Sequence, residues 1–186
     1  LKTRTGYVQG YNAQAVVTSQ QVIVAAEVTQ EANDVKQLKP MLEKAREELV
    51  TAGVQGEIGT TLADAGYWSE QNAAWAEGEE LDLLVATTKD WKQRKALRER
   101  PPPRGRIPKE ATRRDRMERK LLTKRGREFY PLRSQTVEPV FGQVKTCRGC
   151  DRFQRRGTQA VRSEWKLLCA THNLLKLWRH GRASLN

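Results

Sequence analysis

Two β-type runs near the start of the chain, GYNAQAVVT at residues 10–18 and VIVAAEV at residues 22–28, place the strongest limit on the fold. Both are rich in Val and Ala with little charge, and only the polar Ser19-Gln20-Gln21 separates them, a connection short enough for a hairpin. The fold is therefore expected to open with antiparallel strands. Asn33 or Asp34 can then cap a helix whose apolar positions Val35, Leu38, Met41, Leu42, Ala45 and Leu49 fall on one stripe, with Pro40 tolerated in an irregular first turn.

After Gly53 the pattern changes period. Residues 58–63 read as a short buried strand ending at Asp64, Ala65-Gly66 supplies a turn, and Ser69 can cap the next helix. Residues 81–87 read as a further strand. Ligands of open α/β sheets bind outside the carboxyl ends of strands, so Asp64 is a candidate functional acid, against the plainer reading of a loop Asp that accepts turn hydrogen bonds. Residues 89–109, with WKQRKALRER followed by Pro101-Pro102-Pro103 and RGR, cannot build a core and are read as a basic, Pro-rich loop or insertion. A basic helix with Met117, Leu121 and Leu122 on one side follows. The last helix, residues 158–178, places Val161, Trp165, Leu168, His172 and Leu175 at helical spacing. Trp165 and Trp178 are assigned to packing, and His172 to a satisfied position at the edge of the core.

The charge is unevenly shared. Of 34 Lys and Arg and 22 Asp and Glu, residues 1–88 hold six and thirteen, a net of −7, whereas residues 89–186 hold 28 and nine, a net of +19. A basic half of that strength, in a chain of pI near 10.0, points to a polyanionic partner. No run of about 18 apolar residues argues for a membrane span, and no signal peptide opens the chain, so a cytoplasmic, nucleoid-associated protein is expected. Three cysteines without secretory features point to reduced thiols. The length suits one α/β domain covering residues 1–186, with residues 89–110 as a loop within it.

Tyr130, Arg133, Glu138 and Lys145 gather around one expected helix start in FYPLRSQTVEPVFGQVK. Lys145 follows Glu138 by seven residues, near two helical turns, which returns it to the same face. Val137, Pro139, Val140 and Phe141 surround the acid, so Glu138 is expected to face a packed or enclosed surface. A carboxylate and an ammonium on one face make a metal and phosphate site. A rival set exists: Cys147 and Cys150 have C-x2-C spacing, and Cys169 and His172 lie three apart on one helix, four ligands of zinc type. The run CRGCDRFQRR around the first pair reads instead as a DNA-facing loop.

Taken together, GYNAQAVV with VIVAAEVT, then LADAGYWS, YPLRSQTVEPVFGQVK and EWKLLCATHNLLKLW resemble the catalytic domain of bacterial insertion-sequence transposases of the DDE type. The resemblance implies an RNase H-like mixed sheet flanked by helices, incomplete at the amino-terminal end. It implies a two-metal site using Mg2+ or Mn2+, double-stranded DNA (transposon ends and target) as partner, no membrane, and a homo-oligomer in the active complex. Asp64 matches the family's second acid and Glu138 its third. Tyr130, Arg133, Glu138 and Lys145 resemble its tyrosine, arginine, glutamate and lysine signature, which implies Arg133 and Lys145 as DNA-backbone contacts with Tyr130 positioning the DNA nearby, although four residues separate Arg133 from Glu138 where the usual pattern has three. The first acid belongs on a strand preceding those seen here, so it is expected upstream of Leu1, and this chain is expected to bind DNA without strand transfer. In Asp34's place a helix cap is expected rather than a catalytic acid. The alternatives are a non-catalytic DNA-binding remnant of a decayed mobile element, and an RNase H-like nuclease that cuts without joining.

Overall fold

The computed structural model describes residues 2–3, 6–7 and 10–183. The chain forms two compact units. The first comprises residues 1–32, 40–55 and 134–186, the second residues 33–39 and 56–133.

In the first unit, strands β1 (Lys2–Thr3) and β2 (Gly6–Tyr7) pair as a small antiparallel sheet. The expected hairpin follows as β3 (Asn12–Val17) and β4 (Ile23–Thr29), paired antiparallel with a register shift at Val16/Val17. Its turn places Gln21 at φ +64°, a left-handed conformation that a side chain disfavours. Three bonds offset that cost: His172 Nε2 lies 2.9 Å from the Gln21 carbonyl, Lys176 donates to Gln21 Oε1 (2.6 Å), and Gln21 Nε2 donates to the Gln135 carbonyl (3.0 Å). That carbonyl is free to accept because the residue four positions on is Pro139, which has no N–H to return.

The core of this unit is the hairpin packed beneath two helices, α6 (Leu132–Gly142) and α7 (Thr158–Ala183). Ile23, Ala26 and Val28 meet Val140, Val144, Val161, Trp165 and Cys169. Helix α7 also substitutes for a neighbouring strand: the Asn173 side chain accepts from the Ile23 N–H (2.8 Å) and donates to its carbonyl (2.7 Å), while the Trp165 indole donates to the Gln14 carbonyl (2.9 Å). Glu27, facing away from the core on β4, accepts from Lys44 at 2.8 Å and from Arg162. Helix α1 (Leu38–Thr51) buries Leu38, Met41, Leu42 and Ala45 as the stripe requires, and Pro40 lies in its first turn, where an N–H would have no helical partner.

The second unit is a strand, helix, strand arrangement with three further helices. Strand β5 (Thr61–Ala63) and strand β6 (Leu83–Val85) pair in parallel, and α2 (Glu70–Gly78) connects them, its start capped by Ser69, whose hydroxyl accepts from the Asn72 N–H at 3.0 Å. Helix α4 (Arg113–Leu122) begins with a capping box between Thr112 and Asp115 and buries Met117 and Leu122. Helix α5 (Lys124–Phe129) follows after one residue, Thr123, which donates its hydroxyl to the Lys120 carbonyl (2.7 Å) and accepts from the Gly126 N–H (3.0 Å). Asp82, just before β6, ties these helices to the sheet through Lys120 (2.7 Å), Arg125 (2.6 Å) and Thr60 (2.7 Å); burial would raise its carboxyl, but these partners hold it below the usual range.

The structure departs from the sequence reading in several places. The described strands pair as three separate two-stranded sheets, and β5 and β6 span three residues each, shorter than the apolar runs suggested. Residues 91–99, read as part of a loop, form helix α3 (Trp91–Glu99), capped by Asp90 and buried through Leu97. Its polar sequence hides the helix from any apolar pattern, but the cap and the Lys95–Glu99 pair one turn apart were available signals. Residue 34 opens a 3-10 turn (Asp34–Gln37) instead of capping α1, and the residue ahead of it, Asn33, makes no side-chain cap bond. Trp178 is 56% exposed, so only Trp165 of the two assigned tryptophans is core.

Candidate active site

Asp64 directly follows β5, at the same edge where β6 ends, because the parallel register sets Ala63 opposite Val85. The turn after it is tight: Asp64 Oδ1 accepts from the Gly66 N–H at 2.7 Å, and the Tyr67 N–H donates to the Asp64 carbonyl at 3.2 Å. The plain role of a turn Asp is thus fulfilled by one oxygen. The second oxygen has no hydrogen-bond partner among the described residues.

Gly66 shows what else this turn does. A Cβ built there would lie 2.9 Å from Asp64 Oδ1 and 3.0 Å from Asp34 Oδ2, so the absence of a side chain leaves room in which two carboxylates meet. The 3-10 turn at Asp34 is what brings the second acid to this place, held from below by Asn72, whose amide donates to the Val35 and Tyr67 carbonyls (2.6 and 2.7 Å). Tyr67 feels both acids: burial, then the Asp34 and Asp64 charges, push its hydroxyl far above the usual tyrosine range.

Tyr130 reaches the same edge from the end of α5. Its hydroxyl donates to the Ala63 carbonyl (3.2 Å), the residue before Asp64, and also engages the Ala86 backbone just past β6. Burial raises its pKa, Arg133 and Arg94 act the other way, and Asp64 adds to the rise. Both arginines therefore lie within electrostatic range of Tyr130. Arg94 was not visible as a site residue in the sequence, because it sits in the segment read as a loop. Its Nε is buried without a hydrogen-bond partner among the described residues.

Asp64, Tyr130 and Arg133 thus belong to the second unit, and the structure brings them together there with Asp34, Tyr67 and Arg94. Glu138 and Lys145 belong to the first unit. Glu138 is exposed, which corrects the expectation of an enclosed acid. Val140, two residues on, points into the core at 1% exposure, and two residues of α-helix rotate by about 200°, which turns Glu138 outward. Beyond α6 the backbone widens into a π-turn (Gln143–Cys147) that alters the seven-residue phase between Glu138 and Lys145. Lys145 is exposed, with its ammonium 5.4 Å from the centre of the Phe141 ring.

The zinc alternative finds no support in the geometry. Cys147 is exposed, Cys150 donates its thiol toward the Arg148 carbonyl, and Cys169 is buried in the core, where desolvation raises its thiol to about 12. His172 is wholly buried and bonded to Gln21 through one nitrogen, while its Nδ1 lacks a partner, so it is a deeper and less satisfied residue than a core-edge histidine. Among the described residues no three His, Cys, Asp or Glu side chains converge to hold a metal ion. No helix there is long and apolar enough to cross a membrane.

A family model described as "Transposase DDE domain" matches residues 2–174. No curated protein and no solved structure matches the chain.

Proposed function

The chain belongs to the family of transposase DDE domains, and from that premise we propose that its residues serve metal-dependent cleavage and joining of DNA strands, with Asp64 and Glu138 supplying ligands to a two-metal site that also requires the family's first acid. The observation that carries this reading is the position of Asp64: at the carboxyl end of a parallel strand, with Oδ1 fixed by the turn and the Asp34 carboxylate bordering the same small space beside Gly66. Two hard carboxylate oxygens around a cleared space fit Mg2+ or Mn2+, which prefer oxygen donors. When bound, such a metal pair supplies activation of the attacking water or 3′-hydroxyl and stabilisation of the leaving oxygen.

The remaining roles follow from the residues themselves. Asp64 and Glu138 would hold the ions, with Asp34 as an additional carboxylate beside Asp64. Tyr130 buttresses the strand end through Ala63 and positions the Asp64 backbone. Arg133, Lys145 and Arg94 offer cationic groups to the DNA backbone, contacts that give affinity and register without sequence information. The protein's partner is double-stranded DNA, and the active complex is a homo-oligomer with an RNase H-like catalytic domain. Mg2+- or Mn2+-dependent cutting of labelled duplex tests the proposal. Asp64→Asn and Glu138→Gln should each abolish cutting while DNA binding persists; a variant that still cuts at the parental rate would remove that acid from the site.

The reading of a non-catalytic remnant keeps the basic surface but gives the acids no role. The shared space of Asp34 and Asp64 favours the enzyme.

A further inference from the structure

Between the π-turn and α7, residues 148–157 have the sequence RGCDRFQRRG and no regular structure, yet four of their backbone N–H groups are held by the rest of the unit. The Cys150 N–H donates to the Val144 carbonyl (3.3 Å), and Arg148 donates to the Thr171 hydroxyl on α7 (3.1 Å). Phe153 inserts its ring edge-on to both Tyr11 and Trp165, each at 6.3 Å between centroids. Glu164, nearly two turns into α7, accepts from two consecutive loop amides, Gln154 N–H at 2.8 Å and Arg155 N–H at 3.0 Å. The Gly157 N–H donates to the Tyr11 hydroxyl at 3.0 Å, and Gly149 and Gly157, at φ +65° and +90°, supply the turns at the two ends.

These anchors consume the loop's phenyl ring and four of its amides but not its charge. Arg152, Arg155 and Arg156 are exposed, and among the described residues none of their guanidinium groups has a hydrogen bond or ion pair. The loop's only acid, Asp151, is exposed and likewise unpaired there. Arg162 of the same unit is used structurally, on Glu27, whereas these three guanidinium groups stand together and unused on a pinned loop.

We propose that residues 148–157 form a preformed clamp for the phosphate backbone of double-stranded DNA, with Arg152, Arg155 and Arg156 as its contacts. The guanidinium fork matches two phosphate oxygens at once, and a backbone already fixed by Phe153 and Glu164 need not be ordered on binding. This rests on the reading of DNA as partner and extends it to a loop of the first unit. Glu164 acts through the loop and is a positioning residue.

The test is binding of the 186-residue chain to labelled duplex in EDTA, which keeps metal out of the comparison, from 50 to 200 mM KCl. Arg152→Ala/Arg155→Ala/Arg156→Ala should lower affinity on the order of tenfold or more and flatten the log–log salt slope by about 2.7, with the melting temperature unchanged. Glu164→Ala removes a negative charge, so bulk electrostatics predicts tighter binding. The clamp predicts the opposite, weaker binding with the parental slope. Parental affinity and slope in the triple variant would overturn the clamp while leaving DNA binding intact, whereas no binding by the parent would overturn both. A labelled RNA duplex bound more tightly, with the same arginine dependence, would overturn the assignment to DNA.

Discussion

The junction of α4 and α5 offers a sharp test of the fold that delivers Tyr130. Gly126 is buried, and a Cβ there would lie 2.2 Å from the Lys120 carbonyl oxygen and 2.7 Å from Leu121 Cα and its carbonyl oxygen. All three obstacles are backbone, so no rotamer change relieves them; α5 must swing away from α4. That movement also strains the Thr123 bonds to both helices and the Tyr130 N–H to Gly126 carbonyl bond (3.0 Å) that ends α5. Overpacking costs typically about 1–3 kcal/mol, and contacts this close to fixed backbone place Gly126→Ala near the upper end. At roughly 2–4 °C per kcal/mol for a chain of this size, the melting temperature should fall by about 6–12 °C. Gly142→Ala is the matched control. Gly142 is helical, with φ −60° and nothing within 4 Å of its Cβ position, so the same change should be neutral or stabilising by up to about 1 kcal/mol. Melting followed by circular dichroism reads both. A Gly126→Ala protein as stable as the parent would refute the close approach of α4 and α5.

Two further outcomes follow from the first unit. Burial lowers the His172 pKa from 6.5, with Arg148 and Lys176 adding to the effect against the Gln21 bond. The unfolded chain therefore holds this proton at a higher pH than the folded one, so stability is full above about pH 6.5 and is lost as pH falls below it; melting at pH 7.5 and 5.5 should show the drop, and His172→Gln should reduce it. Gln21→Ala should cost about 1.5 kcal/mol by removing its bonds to Lys176 and Gln135. Gln21→Gly should cost less than the Ala variant, because glycine accepts φ +64° without strain, and chemical denaturation that ranked them the other way would count against that turn.

What the sequence revealed was governed by local chemistry. The hairpin and the Ser69 cap rest on neighbouring residues and appear as read, and the α1 stripe does so from Leu38 to Ala45, with Val35 left in the 3-10 turn ahead of it. Asp64 was legible because a strand end and a turn are adjacent in sequence. Asp34 was read as a helix cap, whereas its carboxylate borders the space at Gly66, thirty-two residues away, a placement no period encodes. Arg94 lay hidden within a segment whose charge masked a helix. Glu138 was misjudged because its apolar neighbours were counted without asking which way each points: Val140, Phe141 and Val144 face the core, and Glu138 does not. The anchoring of residues 148–157 by Tyr11 and Glu164 was likewise out of reach, since it joins the start of the chain to its last helix.

The central claim is that Asp64 and Glu138 hold divalent metal, and titration of Mn2+ into the chain, followed by the loss of the free-ion magnetic resonance signal, tests it without requiring turnover. Asp64→Asn and Glu138→Gln should each weaken binding tenfold or more, on the order of a lost charged oxygen ligand, and Asp34→Asn should weaken it less. Parental Mn2+ affinity in both Asp64→Asn and Glu138→Gln would contradict the account.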